Sequence, residues 1–172
     1  MSEPLVKAIM TDYYDEKIKI IENAIRSVDF GKGVGEWKDE HHNKCMTYSY
    51  LGGLYLHENR PDDAKTILIE AIKTGNAHAQ TYEFLGTSYT RLAKENSNPG
   101  FYKLAIWNFE KALKMKSSFD ATNSYDLFGY AYYKDGKIEE SIKMFEIAVK
   151  NDPKNFRYQS NLIVANAKLK YP

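Results

Sequence analysis

Between Tyr125 and Pro153, side chains suited to a packed face recur every three or four residues. They are Tyr125, Phe128 and Tyr132 in the first half, and Ser141, Phe145 and Ala148 in the second. This is the period of one face of a helix. Asp135-Gly136 interrupts the run, because Gly supplies the positive-φ backbone that commonly ends a helix. Asn151-Asp152-Pro153 stops the second half, since Pro cannot continue a helix. The pattern predicts a helical hairpin with one apolar face that it cannot bury alone, so copies to stack against it are expected elsewhere in the chain.

Two copies are found. Gly129 has counterparts at Gly86 and Gly52, each preceded by an apolar residue (Phe128, Leu85, Leu51) and by a Tyr four residues back (Tyr125, Tyr82, Tyr48), and each followed by a Tyr three residues on. The spacing is 34 residues from Gly52 to Gly86 and 43 from Gly86 to Gly129, the second exceeding the first by an insertion of nine. A Gly inside a helix costs about 1 kcal/mol relative to Ala, so its presence at one position of three copies implies close backbone approach between the helices of each hairpin. The six tyrosines at these positions are assigned to packing within and between repeats.

The pattern aromatic-x-x-apolar-Gly-x-x-Tyr, then small-x-x-x-large-x-x-Ala, then Pro, resembles the tetratricopeptide repeat. Residues 122–155 carry it almost throughout. Residues 45–78 match at Tyr48, Leu51, Gly52, Tyr55, Ala64, Leu68 and Ala71, with Asn76 in place of Pro. Residues 79–119 match at Tyr82, Leu85, Gly86, Tyr89, Ala105, Phe109 and Ala112, with Ser117 in place of Pro. The resemblance implies an all-α fold, a single-domain α-solenoid of stacked antiparallel helix hairpins in a right-handed superhelix.

The flanks complete that architecture. Ser2-Glu3-Pro4 is a helix start, and apolar residues at Leu5, Ile9, Tyr13, Ile20, Ala24 and Val28, with Val6, Met10, Ile21 and Ile25 beside them, predict one leading helix over 1–28. It would cover the apolar end of the first repeat. The stripe is also wide enough to serve two surfaces, so a homodimer through this N-terminal helix is the alternative. Residues 29–38 read as a flexible connection. Their GKGVG lacks the Gly-Lys-Ser/Thr ending and the preceding strand of a phosphate loop. The first hairpin is expected to turn at Asn59-Arg60-Pro61-Asp62 and to end near Gly75. Seven of the nine extra residues are expected as a lengthened turn around Lys94 to Tyr102, and the other two between repeats in 116–121. A closing helix over 156–170 is predicted to set Leu162, Ile163 and Leu169 against the last hairpin, with Asn161, Asn166, Lys168 and Lys170 toward water.

Composition removes several function classes. Lys and Arg total 24 against 23 Asp and Glu, a net charge of +1, which is not the basic field of a nucleic-acid binder. No apolar run approaches the roughly 20 residues that span a bilayer, and MSEPLVKAIM lacks the flank and core of a signal peptide. The one cysteine, Cys45, fits a reducing compartment, so a cytoplasmic protein without membrane or nucleic-acid partners is expected. His41 and Cys45 share a helix face, but tetrahedral zinc needs four ligands and no second cluster supplies the rest. No nucleophile motif or nucleotide loop occurs, so neither an enzyme nor a cofactor is expected.

By resemblance, function resides in the groove lined by the first helix of each repeat. The implied groove-facing residues are Met46, Ser49, Gly53, Leu56 and His57, then Gln80, Glu83, Thr87, Thr90 and Arg91, then Asn123, Asp126, Tyr130, Tyr133 and Lys134. The family's clamp of Lys, Asn and Arg for a partner's terminal carboxylate is missing, since those sites carry Ser49, Gly53, Phe84, Asn123 and Leu127. Glu83 and Asp126 stand near helix starts, and His57, Arg91 and Lys134 near helix ends. That distribution complements the helix dipoles. It equally makes two ladders that could orient a bound segment, with Tyr130 and Tyr133 as an aromatic anchor. The expectation is a non-catalytic adaptor that binds a protein or peptide segment. The alternative is a client-holding chaperone similar in layout to the three-repeat chaperones of bacterial secretion systems.

Overall fold

The computed structural model describes residues 13–26, 40–115 and 122–171, the side chains of 40–43 and 122–123 excepted. Eight helices lie among the described residues, packed as consecutive hairpins, and the chain divides into two compact units, 1–84 and 85–172. The connection at 29–38 and residues 116–121 fall outside the described residues.

The first unit begins with α1 (Tyr14–Arg26), which packs on α2 (Glu40–His57). Tyr13 stands outside any helix, so the leading helix does not run unbroken over 1–28. Asp15 and Glu16 fill the first turn of α1, where carboxylates complement the positive end of the dipole. They are a start signal in the middle of the apolar stripe. Ile18 and Ile21 are buried, and the Tyr55 hydroxyl of α2 donates to the Glu22 carboxylate of α1. Helix α3 (Pro61–Lys73) closes the hairpin with α2. Pro61 opens it, with Asp62 and Asp63 in the first turn, and Gly75 at φ +83° follows its end. At the centre of the hairpin Gly52 lies so close to Leu68 that an added Cβ would stand 2.6 Å from the Leu68 side chain.

Helix α4 (Ala79–Glu95) contributes its residues up to Phe84 to the first unit and the remainder to the second. The second unit continues with α5 (Gly100–Met115), α6 (Thr122–Lys134), α7 (Ile138–Asn151) and α8 (Phe156–Lys170). Its core centres on Phe109, Phe128 and Tyr132, whose rings stack at centroid distances of 5.1 and 4.5 Å. Gly86 faces the Phe109 ring and Gly129 the Phe145 ring, as Gly52 faces Leu68. Gly136, at φ +82°, turns α6 into α7.

The insertion does not form a long turn. Helix α4 runs nine residues past Gly86, whereas α2 and α6 stop five residues past Gly52 and Gly129, and only residues 96–99 separate α4 from α5. Arg91, Leu92, Ala93, Lys94 and Glu95 are strong helix formers. Leu92, Ala93 and Tyr102 are buried, and Tyr89 and Phe101 approach at 5.8 Å, so packing holds the added turns helical. The closing helix also differs from expectation. It buries Tyr158 and Ala165, while Ile163 and Leu169 are exposed, so its apolar residues form two stripes and not one.

Burial opposes the ionisation of three core tyrosines and raises their pKa. Tyr102, also in contact with Tyr130, is pushed up to about 12. Tyr55 and Tyr132 are pushed well above the ordinary phenol value, helped by the Glu22 and Glu110 carboxylates that accept their hydrogen bonds. Between the unfolded value near 10 and these raised values the unfolded chain releases protons that the native chain keeps, so stability falls as pH rises. Chemical denaturation is expected to give a constant midpoint from pH 8 to about 9.5 and a falling one from about 10 to 12. The Tyr132→Phe variant should show a shallower fall, and an unchanged slope would mean that Tyr132 does not contribute.

Candidate functional site

In the first unit the groove-facing positions of α2 and the start of α4 enclose a cleft of about 340 Å³. Met46, Ser49, Gly53 and His57 from α2 and Gln80 from α4 line it. Tyr50, Leu54, His78, Thr81 and Phe84 complete the walls, and Tyr14 reaches in from α1. The Tyr14 ring stacks on the His57 imidazole at 3.8 Å and 10°, while His57 Nδ1 lies 3.0 Å from Glu58 Oε1. Gly53 is needed because an added Cβ would stand 2.9 Å from the Phe84 ring. The floor is polar but internally satisfied. Ser49 Oγ and Thr81 Oγ1 are 2.7 Å apart, both residues are buried, and Cys45 Sγ lies 4.0 Å from Ser49 Oγ. The cleft therefore offers apolar walls and a rim of imidazole, phenol and amide groups.

The other sequence-derived positions divide by burial. Glu83 is half-buried, Thr87 is buried, and the side chain of Asn123 falls outside the described residues. Arg91 is half-buried, and desolvation pulls its guanidinium below the ordinary value against the opposing effect of Glu95. Asp126 is 3% exposed. Its carboxylate accepts a hydrogen bond from Asn161 Nδ2 at 2.6 Å and forms an ion pair with Arg157 Nε at 3.1 Å, so α8 occupies the acid that the ladder would present. Tyr130 lies between two cations, with Lys94 Nζ 3.9 Å and Lys134 Nζ 5.4 Å from its ring centroid, and edge-on to Tyr102 at 6.0 Å. Tyr133 is half-buried and Lys134 exposed. Sequence reasoning missed Tyr14, Tyr50, Leu54, His78 and Thr81 in the cleft and Lys94 beside Tyr130. Lys94 carried a usable signal, since a basic residue four positions after Thr90 shares its helix face.

Among the described residues no group of His, Cys, Asp and Glu is placed to hold a metal ion. Among the same residues no helix is long and apolar enough to cross a membrane.

Comparison with known proteins agrees with this architecture. Solved structures of the same fold include MamA, with a TM-score of 0.68 and 18% identity over 99% of this chain and 86% of that one. The first repeat domain of Spaghetti (RPAP3), bound to the HSP90 peptide SRMEEVD, gives 0.61 and 19% identity over 75% of this chain and 95% of that one. The second repeat domain of human RPAP3, in complex with the HSP70 peptide SGPTIEEVD, gives 0.57 and 18% over 73% and 98%. Among curated proteins none matches this sequence. These likenesses define the class, an all-α repeat fold of consecutive hairpins. Residues 122–155 match the family model of the tetratricopeptide repeat, so the chain carries a tetratricopeptide repeat in that segment.

Proposed function

We propose that this chain is a non-catalytic interaction module that binds a segment of a partner protein, and that the first-unit cleft receives one bulky apolar side chain of that segment. The observation that carries the reading is the cleft itself, since five of the eleven residues that line it, Met46, Ser49, Gly53, His57 and Gln80, are ones the resemblance implies for the groove. Met46, Tyr50, Leu54 and Phe84 supply apolar area. His57, His78 and Gln80 supply hydrogen-bonding groups at the edge. Among the described residues neither Lys nor Arg lines the cleft, so its described walls offer no cation to a terminal carboxylate. The preferred ligand is thus an internal segment with an aromatic or long aliphatic anchor and hydrogen-bonding neighbours. Peptide recognition by the Spaghetti and human RPAP3 domains supports a binding role for this fold, with a different anchor here. Tyr130, Tyr133 and Lys134 in the second unit are proposed as further contacts.

The test is selection of a displayed peptide library on the whole chain, followed by fluorescence anisotropy with parent and Met46→Arg proteins. Met46 is exposed on the cleft wall, so the substitution adds charge without disturbing the core. Selected peptides are expected to carry an aromatic or large aliphatic residue and to lose about tenfold or more in affinity for the variant. Peptides that bind both proteins equally would remove the cleft from the reading.

A further inference from the structure

The outward stripe of α8 consists of Phe156, Ser160, Ile163, Val164 and Ala167, and Tyr171, the residue that caps the helix end, extends it. All six are exposed, Phe156 at 82%, Ile163 at 68%, Val164 at 51% and Tyr171 at 69% among the large ones. The opposite face, with Tyr158 and Ala165, already packs on the second unit. The stripe has an unusual property, which is that its spacing reads the same in both directions. Its steps are four, three, one, three and four residues, and its chemistry is aromatic, small, β-branched, β-branched, small, aromatic. Laid antiparallel on a second copy of itself about an axis between Ile163 and Val164, it sets Phe156 opposite Tyr171, Ser160 opposite Ala167, and Ile163 opposite Val164. Large side chains meet at the ends, small ones let the helices approach, and branched ones fill the centre, which is the self-complementarity that a two-fold interface demands.

We propose that α8 is a homodimerisation surface that pairs antiparallel with α8 of a second copy of this chain. No charged residue lies within the stripe. Arg157 and Lys168 flank one edge and Lys170 the other. Arg157 is held by Asp126, which reduces the repulsion that two basic helix edges would otherwise meet. The area is adequate for a reversible dimer. Aromatic side chains bury about 150–250 Å² each, so two exposed Phe156 and two exposed Tyr171, with the central Ile and Val pairs, bring the interface to roughly 1,000 Å², near the lower limit for specific association. A reversible dimer with a dissociation constant of about 10–100 µM is expected, strengthened by added salt as the flanking lysines are screened. This surface is independent of the first-unit cleft.

Sedimentation velocity on the whole chain across about 1–300 µM should show mass rising from monomer to dimer, and Ile163→Glu should stay monomeric with an unchanged melting temperature at low concentration. Cysteine cross-linking then reports the direction of pairing, because the native Cys45 is buried. An antiparallel pair places the two copies of residue 163 beside the axis, so Ile163→Cys should form a covalent dimer on mild oxidation. The two copies of residue 156 would lie about 22 Å apart at 1.5 Å per residue, so Phe156→Cys should not. A chain that remains monomeric throughout, a dimer that Ile163→Glu leaves intact, or cross-linking through Phe156→Cys would each overturn the proposal.

Discussion

Gly129→Ala is expected to destabilise the fold, although Ala is the better helix former by about 1 kcal/mol. The residue lies in the interior of α6, where a new Cβ would stand 2.8 Å from the Phe145 ring and 3.2 Å from Met144 Cβ. Phe145 is buried, so its ring cannot swing aside into solvent. Relief therefore requires α6 and α7 to separate, and overpacking of this kind typically costs 1–3 kcal/mol. The net expectation, after the propensity gain, is a loss of about 1–2 kcal/mol at Gly129 and at Gly86, where an added Cβ would lie 2.9 Å from the Phe109 ring. Gly52→Ala should be worse, since Leu68 Cγ itself would be 2.6 Å away and cannot rotate clear as a terminal methyl can. A double-mutant cycle isolates the cause. Phe145→Leu alone removes core contacts, but in the Gly129→Ala background it also makes room, so the two losses should fall short of additivity by about 1 kcal/mol. Strictly additive losses in urea denaturation would show that the close approach is not the reason for the glycine.

That close approach is also why so much of the fold was legible beforehand. A backbone contact that only Gly permits leaves the same letter at the same place in every hairpin, and the tyrosines around it fix the register. The hairpin turns at Pro61 and Gly136 follow from residue chemistry that acts within one turn of chain. What the pattern could not reveal depends on distance in space. The residues around Lys94 read as a turn because they include Asn96, Ser97, Asn98, Pro99 and Gly100, yet packing of Ala93 and Tyr102 confines the irregular part to four residues. In α8 two apolar stripes compete, and periodicity finds both without saying which one the array covers. The candidate site divides in the same way. Met46, His57 and Gln80 were placed by the repeat register, whereas Tyr14 enters the cleft through a helix that lies outside any repeat. Asp126 was assigned to a ladder from its position on α6, and nothing local to it announces partners 31 and 35 residues away.

Those partners make Asp126 a sensitive polar position of the second unit. Its carboxylate is buried and receives Asn161 Nδ2 at 2.6 Å and Arg157 Nε at 3.1 Å, and it thereby ties α6 to α8. Removing one partner of a buried ion pair costs about 3–5 kcal/mol when the other is left without compensation. Arg157 is itself largely exposed and can turn toward water, so Asp126→Ala should fall below that range, at about 1–2 kcal/mol. Asp126→Lys is different, because it buries an ammonium where a guanidinium already points and leaves Asn161 with a donor facing a donor. A loss of about 3 kcal/mol or more is expected, which for a chain of this size corresponds to a fall of roughly 6–12 °C in melting temperature. Asp126→Asn keeps the shape and one acceptor and should be mildest. The reciprocal pair Asp126→Lys with Arg157→Glu restores attraction across the contact and should recover part of the loss in thermal unfolding, whereas Arg157→Glu alone sets two carboxylates together and should not. If Asp126→Lys melts with the parent, the contact to α8 does not hold the closing helix, and the acid is available to a partner after all. If it melts early and the reciprocal pair recovers, any loss of binding in the single variant reports the departure of α8 and not a missing contact, so binding at this end of the chain has to be probed at Tyr133 or Lys134.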